Sequence, residues 1–347
     1  MTRHTTWQRS RAALTVPTVL ALAVTLAACS PADDAPSAGS TEPAESAAAA
    51  PVSAGGGAAS EITGFDNVVV STQWLEENLD DPKVALIEVS VDPGLYERGH
   101  IPGAVNFPWH TAFVDTVSRD VVSAERFTEL AQAAGIDSDS TVVLYGDHNN
   151  WFSAWGAWIF TLYGHEDVRL VDGGRVKWEA EGREFAVAPP TPTAGSFTAE
   201  EANANLRAFL PEVLEVATGE LDNTLVDIRG AAEFSGEIFA PEGVQELAVR
   251  AGHIPGAVNV PWVQAVNEDG TFKSVDELRE LYAAVGVDGS KPIITYCRIG
   301  ERASHTWFVL NKILGYDAKL YDGSWTEYGN AVGVPVENPA GTVWGGV

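Results

Sequence analysis

The sequence predicts an α/β protein built from two tandem domains, each a parallel β-sheet flanked by helices. Three observations predict it. The chain has 347 residues, enough for two cores of ordinary size, and 45% of its residues are hydrophobic. The octapeptide Gly99-His100-Ile101-Pro102-Gly103-Ala104-Val105-Asn106 recurs without change as Gly252 to Asn259, a domain-sized 153 residues later. Around each copy, short β-branched runs alternate with helical patterns, which is how a parallel sheet with helical crossovers reads.

In chain order, the first segment is an address. Arg3, Arg9 and Arg11 precede an apolar run from Ala12 to Ala28, with no acidic residue before Cys29. The run is short for a spanning helix and contains Pro17, so residues 1–28 read as a signal peptide. Leu26-Ala27-Ala28-Cys29 resembles the lipobox of bacterial lipoproteins. The resemblance implies lipidation of Cys29, cleavage before it, and an exported protein held on the extracytoplasmic face of the cell membrane. Residues 29–60 are Ala-, Pro-, Ser-, Gly- and Glu-rich with little to bury, and read as a disordered tether.

The first domain occupies 61–187, with strands expected at Val84–Val89, Ala104–Asn106, Thr141–Tyr145 and Val168–Val171. Ser71 is placed to cap a helix running through Trp74 and Leu79. A Pro- and Thr-rich linker, 188–198, leads to a second domain, 199–347. Its strands are expected at Thr224–Ile228, Ala257–Val260, Pro292–Tyr296 and Ala318–Tyr321. Val142-Val143-Leu144-Tyr145 parallels Ile293-Ile294-Thr295-Tyr296, and Leu170-Val171-Asp172-Gly173 parallels Leu320-Tyr321-Asp322-Gly323.

Composition removes several function classes. A formal charge of −27 opposes binding to nucleic acid, and an anionic substrate would need clustered local cations. Two cysteines, Cys29 and Cys297, cannot build a zinc ribbon or a disulfide framework. No phosphate loop, nucleotide fingerprint or metal-spaced cluster is present, so no cofactor and no metal are expected. Oligomeric state is left open.

His100 and His253 sit in glycine- and proline-bounded turns before a strand. Their identity in both copies, only one of which has a cysteine, makes them scaffold rather than catalytic bases. Trp109, Trp151, Trp262 and Trp307 read as core or interface positions.

The chemistry is concentrated in Lys291 to His305, which reads as strand, loop, then helix. Cys297 follows the strand directly and precedes the helix, where backbone N–H groups lack intrahelical partners. Such donors favour a thiolate, the nucleophilic form. Arg298 and Arg302 add positive charge suited to an oxyanion such as thiosulfate. His305, one turn into the helix, is expected to pack or cap, and Glu301 is an awkward anion so near the sulfur. The arginine at +5 from the cysteine leaves too short a loop for a phosphatase, which places its arginine at +6.

The octapeptide and the Cys297-Arg298-Ile299-Gly300-Glu301-Arg302 loop together resemble tandem-domain rhodaneses, especially bacterial thiosulfate sulfurtransferases. The resemblance spans about Val68 to Gly333. It implies a catalytic second domain and a first domain that has lost the thiol but walls the site. The first loop agrees, reading Gly146-Asp147-His148-Asn149-Asn150-Trp151. The resemblance also implies a substrate-binding role for the arginine after the first strand of the active domain, here Arg229. On this reading Cys297 takes the outer sulfur of thiosulfate while Arg298, Arg302 and Arg229 hold the sulfonate. Loop amides from Arg298 through Ile299, Gly300 and Glu301 to Ala303 surround the persulfide, and cyanide or a thiol accepts the sulfur. The alternatives are 3-mercaptopyruvate sulfurtransferase, expected to carry a Cys-Gly-Ser-Gly-type loop, and a non-catalytic binding or sulfur-sensing module.

Overall fold

The computed structural model describes residues 62–245 and 247–345. The signal peptide, Cys29 and the whole of the tether therefore fall outside the described residues. Among those described, no helix is long and apolar enough to cross a membrane.

The first domain holds five strands: β1 (Val69–Val70), β2 (Val84–Glu88), β3 (Val105–Asn106), β4 (Thr141–Tyr145) and β5 (Val168–Val171). They form one all-parallel sheet in the order β1-β5-β4-β2-β3. The second holds β6 (Thr224–Asp227), β7 (Val258–Asn259), β8 (Ile293–Tyr296) and β9 (Ala318–Leu320), also all parallel, in the order β7-β6-β8-β9. Each expected strand is present, some shorter by a residue at an end. β1 was not foreseen, because two residues are too few to show a period. Arg207 bridges Leu320 of β9 in the second domain, at the edge that β1 occupies in the first.

Local rules explain the flanking helices. Ser71 caps the Thr72–Asn78 helix by accepting the Trp74 N–H at 3.0 Å. Ser274 and Glu277 form a reciprocal capping box on the Val275–Ala283 helix. The linker is ordered: Gly195 and Phe197 donate backbone bonds to Gln132 and Ile136, which seats it on the first domain.

Two helices decide how the domains meet. Trp151–Leu162 is apolar almost all round and buried from Ser153 to Leu162, as a helix without a polar face must be. Its counterpart is Glu301–Trp307, which continues as a π-helix through Phe308–Ile313 to the left-handed Gly315. Ser304 Oγ donates to the Trp151 carbonyl at 3.2 Å, and the buried side chains of both helices belong to one continuous apolar cluster. Each of these helices springs from the loop after the fourth strand of the first domain or the third of the second. Their packing brings both loops to the domain boundary.

Candidate active site

Each copy contains the same buried clamp. In the first domain the Arg175 guanidinium pairs with Glu88 at 3.0 Å and donates to the Gly99 carbonyl. In the second, Arg229 pairs with Asp227 at 2.6 Å and donates to the Gly252 carbonyl at 2.7 Å. Tyr145 and Tyr296 hydroxyls accept the Ile101 and Ile254 N–H groups, tying the same turn to the sheet. His100 stacks on Tyr96, and His253 stacks on Phe234. The repeated octapeptide is thus held by an acid, an arginine, a tyrosine and a stacked histidine, whether or not a thiol is present. This gives Arg229 a structural post that the sequence did not show, beside the substrate contact expected of it. Its side chain is 1% exposed, faces the Trp325 ring, and has its cation raised further above the usual arginine range by Asp227 against the cost of burial.

Cys297 follows β8 and is fully buried. Gly300 turns the chain back so that its N–H donates to Cys297 Sγ at 3.1 Å. It does so at φ +105°, and a Cβ there would lie 2.8 Å from the Asp322 carbonyl oxygen, so the turn requires glycine. The loop's outer side is bolted to the segment after β9. Trp325 N–H donates to the Cys297 carbonyl at 3.0 Å, and Thr326 donates to the Arg298 carbonyl from its N–H at 2.9 Å and its hydroxyl at 2.8 Å. The Cys297 N–H reaches Ser324 Oγ at 3.1 Å, with Ser324 held in a left-handed conformation at φ +52°. Sequence reading passed over Ser324 and Thr326, because nothing in their local pattern connects them to a cysteine 27 residues earlier.

The two loop arginines differ in freedom. Arg298 Nη1 donates to the Gln245 carbonyl at 2.9 Å at the loop's exposed rim. Arg302 has no hydrogen-bond acceptor among the described residues. It lies 3.5 Å from Glu233 and 5.9 Å from the centre of the Trp151 ring, which the first domain supplies. Apart from that ion pair, its N–H groups are the loop's least engaged cationic donors among the described residues. Ala303 is fully buried beneath them, and Ile299 is half-buried. Glu301 is buried with Oε2 lacking a donor among the described residues, and burial pushes its carboxyl up to about 8. Burial therefore favours its neutral form, which weakens the anion the sequence had placed beside the sulfur. His305 packs between Phe272 and Trp262, and burial pushes its imidazole down to about 3. It is a packing residue, as expected.

The matching loop of the first domain has closed on itself. At Gly146, the counterpart of Cys297, a Cβ would lie 2.3 Å from the Val89 carbonyl oxygen and 2.7 Å from Ser153 Oγ. No side chain fits. Asn150 Oδ1 accepts the Gly146 N–H at 3.0 Å, and His148, Asn149 and Asn150 all take positive φ. Asp147 accepts the N–H groups of Val91 at 3.0 Å and Asp92 at 2.9 Å, and His148 lies 3.1 Å from Asp92. Trp151 and Trp262 meet edge to face with centroids 4.6 Å apart, so this loop contributes an aromatic wall rather than chemistry.

A buried thiol on a strand-to-helix loop, repeated once without the thiol, matches known proteins in the same arrangement. The rhodanese-like domain model matches residues 71–181 and again 210–331. The chain belongs to the rhodanese family, as a tandem two-domain member. A relative from Saccharopolyspora erythraea, named "Putative thiosulfate sulfurtransferase", is 52% identical over 276 residues, covering 79% of this chain and 97% of the relative. A Thermus thermophilus relative named sulfur carrier protein TtuD is 50% identical over 273 residues, covering 78% of this chain and 96% of its own. The crystal structure of SseA from Escherichia coli, described as a 3-mercaptopyruvate sulfotransferase, superposes with a TM-score of 0.63 at 29% identity, covering 74% of this chain and 98% of that one.

Proposed function

We propose that this protein is a thiosulfate sulfurtransferase that carries sulfane sulfur as a Cys297 persulfide. The observation that carries the reading is the loop itself: a buried thiol accepting the Gly300 N–H, with the Arg302 guanidinium, held only by a 3.5 Å ion pair to Glu233, in the same loop. The Cys297 thiolate attacks the outer sulfur of thiosulfate, a sulfur–sulfur bond forms to Cys297, and the sulfur–sulfonate bond breaks with its electron pair leaving on sulfite. Arg302 and Arg298 hold the sulfonate oxygens and the departing negative charge. In the second half, cyanide or a thiolate attacks the outer persulfide sulfur and leaves as thiocyanate or a persulfide, returning the Cys297 thiolate. No proton transfer is needed in either half, and no base is assigned. The high identity to thiosulfate sulfurtransferase-named relatives over both domains supports the donor. Thiocyanate formation from thiosulfate and cyanide tests it: Cys297→Ser should abolish the activity. Turnover with mercaptopyruvate but not thiosulfate would move the reading to the sister activity. Turnover with neither would leave a binding or sensing module.

We further propose that the protein is exported and anchored to the membrane through lipid on Cys29, with residues 30–60 as its tether. The charged-then-apolar leader ending in Leu26-Ala27-Ala28-Cys29 supports this. Cys29→Ser should release the protein into the soluble fraction with its turnover intact; a variant that stays with the membrane would contradict the anchor.

A further inference from the structure

A loop that turns its amide N–H groups toward one sulfur turns its carbonyls outward, and each outward carbonyl needs a donor if the loop is to hold its shape. For Cys297 and Arg298 those donors come from the second domain's own Trp325 and Thr326. The next carbonyl, that of Ile299, is met from the other domain. Arg119 Nη2 donates to it at 3.0 Å, across 180 residues of sequence.

Arg119 is delivered by a built feature. Val114 and Val121 bridge as an antiparallel pair, closing a hairpin that projects from the first domain. Asp115 organises its tip, accepting the Val117 N–H at 2.8 Å and the Ser118 N–H at 3.0 Å, while its carbonyl accepts the Arg119 N–H at 2.8 Å. Arg119 itself is left-handed at φ +57°, a strained conformation for a residue with a side chain. The neighbouring Asp120 pairs with Arg207 at 2.6 Å, and Arg207 also grips Asp322 at 2.9 Å beside the active loop. Asp120 therefore fastens the hairpin to the second domain while Arg119 reaches the loop. Together with Ile299, Glu301 and Asp322, Arg119 lines a cavity of about 290 Å³ between the domains.

We infer that Arg119 is a positioning residue for sulfur transfer, through which the thiol-less domain holds the Ile299 carbonyl outward and keeps the next amide, the Gly300 N–H, on the sulfur. The inference rests on the sulfurtransferase reading but names a role for the first domain beyond supplying a wall. Arg119 acts on the loop, not on substrate, so its loss falls on turnover rather than on donor binding.

The test compares Arg119→Ala and Arg119→Lys with the parent, in steady-state thiosulfate turnover, thermal melting, and survival of a persulfide loaded from inorganic polysulfide. Arg119→Ala should lower kcat about fivefold with KM nearly constant, as the loss of one charge-assisted hydrogen bond at a solvent-facing site predicts. It should also shorten the life of the loaded persulfide, and Arg119→Lys should recover part of both. An unchanged kcat overturns the inference. So does a raised KM with kcat intact, which would mean anion steering, or a lowered Tm with kinetics untouched, which would mean a brace between domains. The polysulfide arm needs no thiosulfate. If thiosulfate fails as a donor but the alanine variant still sheds its persulfide faster, the donor assignment falls and Arg119 stands.

Discussion

Arg229 and Arg302 bear the same charge within the same domain, and their surroundings assign them opposite uses. Arg229 neutralises the buried Asp227 and hydrogen-bonds the Gly252 turn, a pairing that the first domain reproduces with Arg175, Glu88 and Gly99. Removing one partner of a buried pair strands the other's charge, which costs about 3–5 kcal/mol. Arg229→Ala should therefore lower the urea midpoint steeply, whereas Arg302→Ala, which removes only a looser 3.5 Å pair to Glu233, should lower it less and raise the KM for thiosulfate. Similar urea midpoints for both variants, with KM raised by Arg229→Ala alone, would reverse the assignment. Cys297 stood out in the sequence because a thiol between a strand and a helix has few other uses, and the structure places it there, between β8 and the Glu301–Trp307 helix. Arg229 was expected at the substrate, and its pairing with Asp227 was not legible because sequence gives a charge but not its partner. The first domain's clamp draws its arginine from a different element, so the repeat offered no warning at the matching position, Ser90.

At the scale of elements, the Glu301–Trp307 helix and its π-helical continuation carry two ionisable groups that burial holds neutral. Glu301 rises from 4.5 to about 8, facing Arg119, Arg298 and Asp322. A carboxyl whose folded value is raised contributes stability below its unfolded value, and that contribution is lost as pH climbs toward the folded one. His305 falls from 6.5 to about 3, so its contribution is present above the unfolded value and is lost as pH falls. Stability should therefore decline on both sides, and Glu301→Gln should flatten the alkaline side alone. Melting curves between about pH 5 and pH 8 check this; parent and variant losing the same Tm over that range would contradict it. The strands and the helix caps were readable from β-branched runs and from Ser71. The π-helical turn was not, because an apolar run at helical spacing looks the same whether its bonds skip four residues or five. The closed first loop was partly readable. Its missing cysteine was visible, but not that Asn150 takes the Gly146 N–H and that the Val89 carbonyl and Ser153 leave no room to restore a side chain at Gly146.

For the whole molecule, duplication is the organising fact, and the sequence displayed it openly in the repeated octapeptide. What it could not display is how unequal copies divide the labour. One copy keeps the thiol and the loop cations. The other presents Trp151 to Arg302, accepts the Ser304 hydroxyl on the Trp151 carbonyl, and sends Arg119 to the Ile299 carbonyl. In a chain of formal charge −27, an anionic donor is favoured near a local group of cations such as this one. The acidic surface and the proposed lipid tether both concern where the protein resides; the transfer step depends on the loop. The most direct measurement is intact mass of the folded domains after incubation with thiosulfate, beside Cys297→Ser. The account predicts a gain of one sulfur, about 32 Da, on the parent and none on the variant. A parent that gains nothing, or a serine variant that gains as much, would contradict sulfur transfer through Cys297.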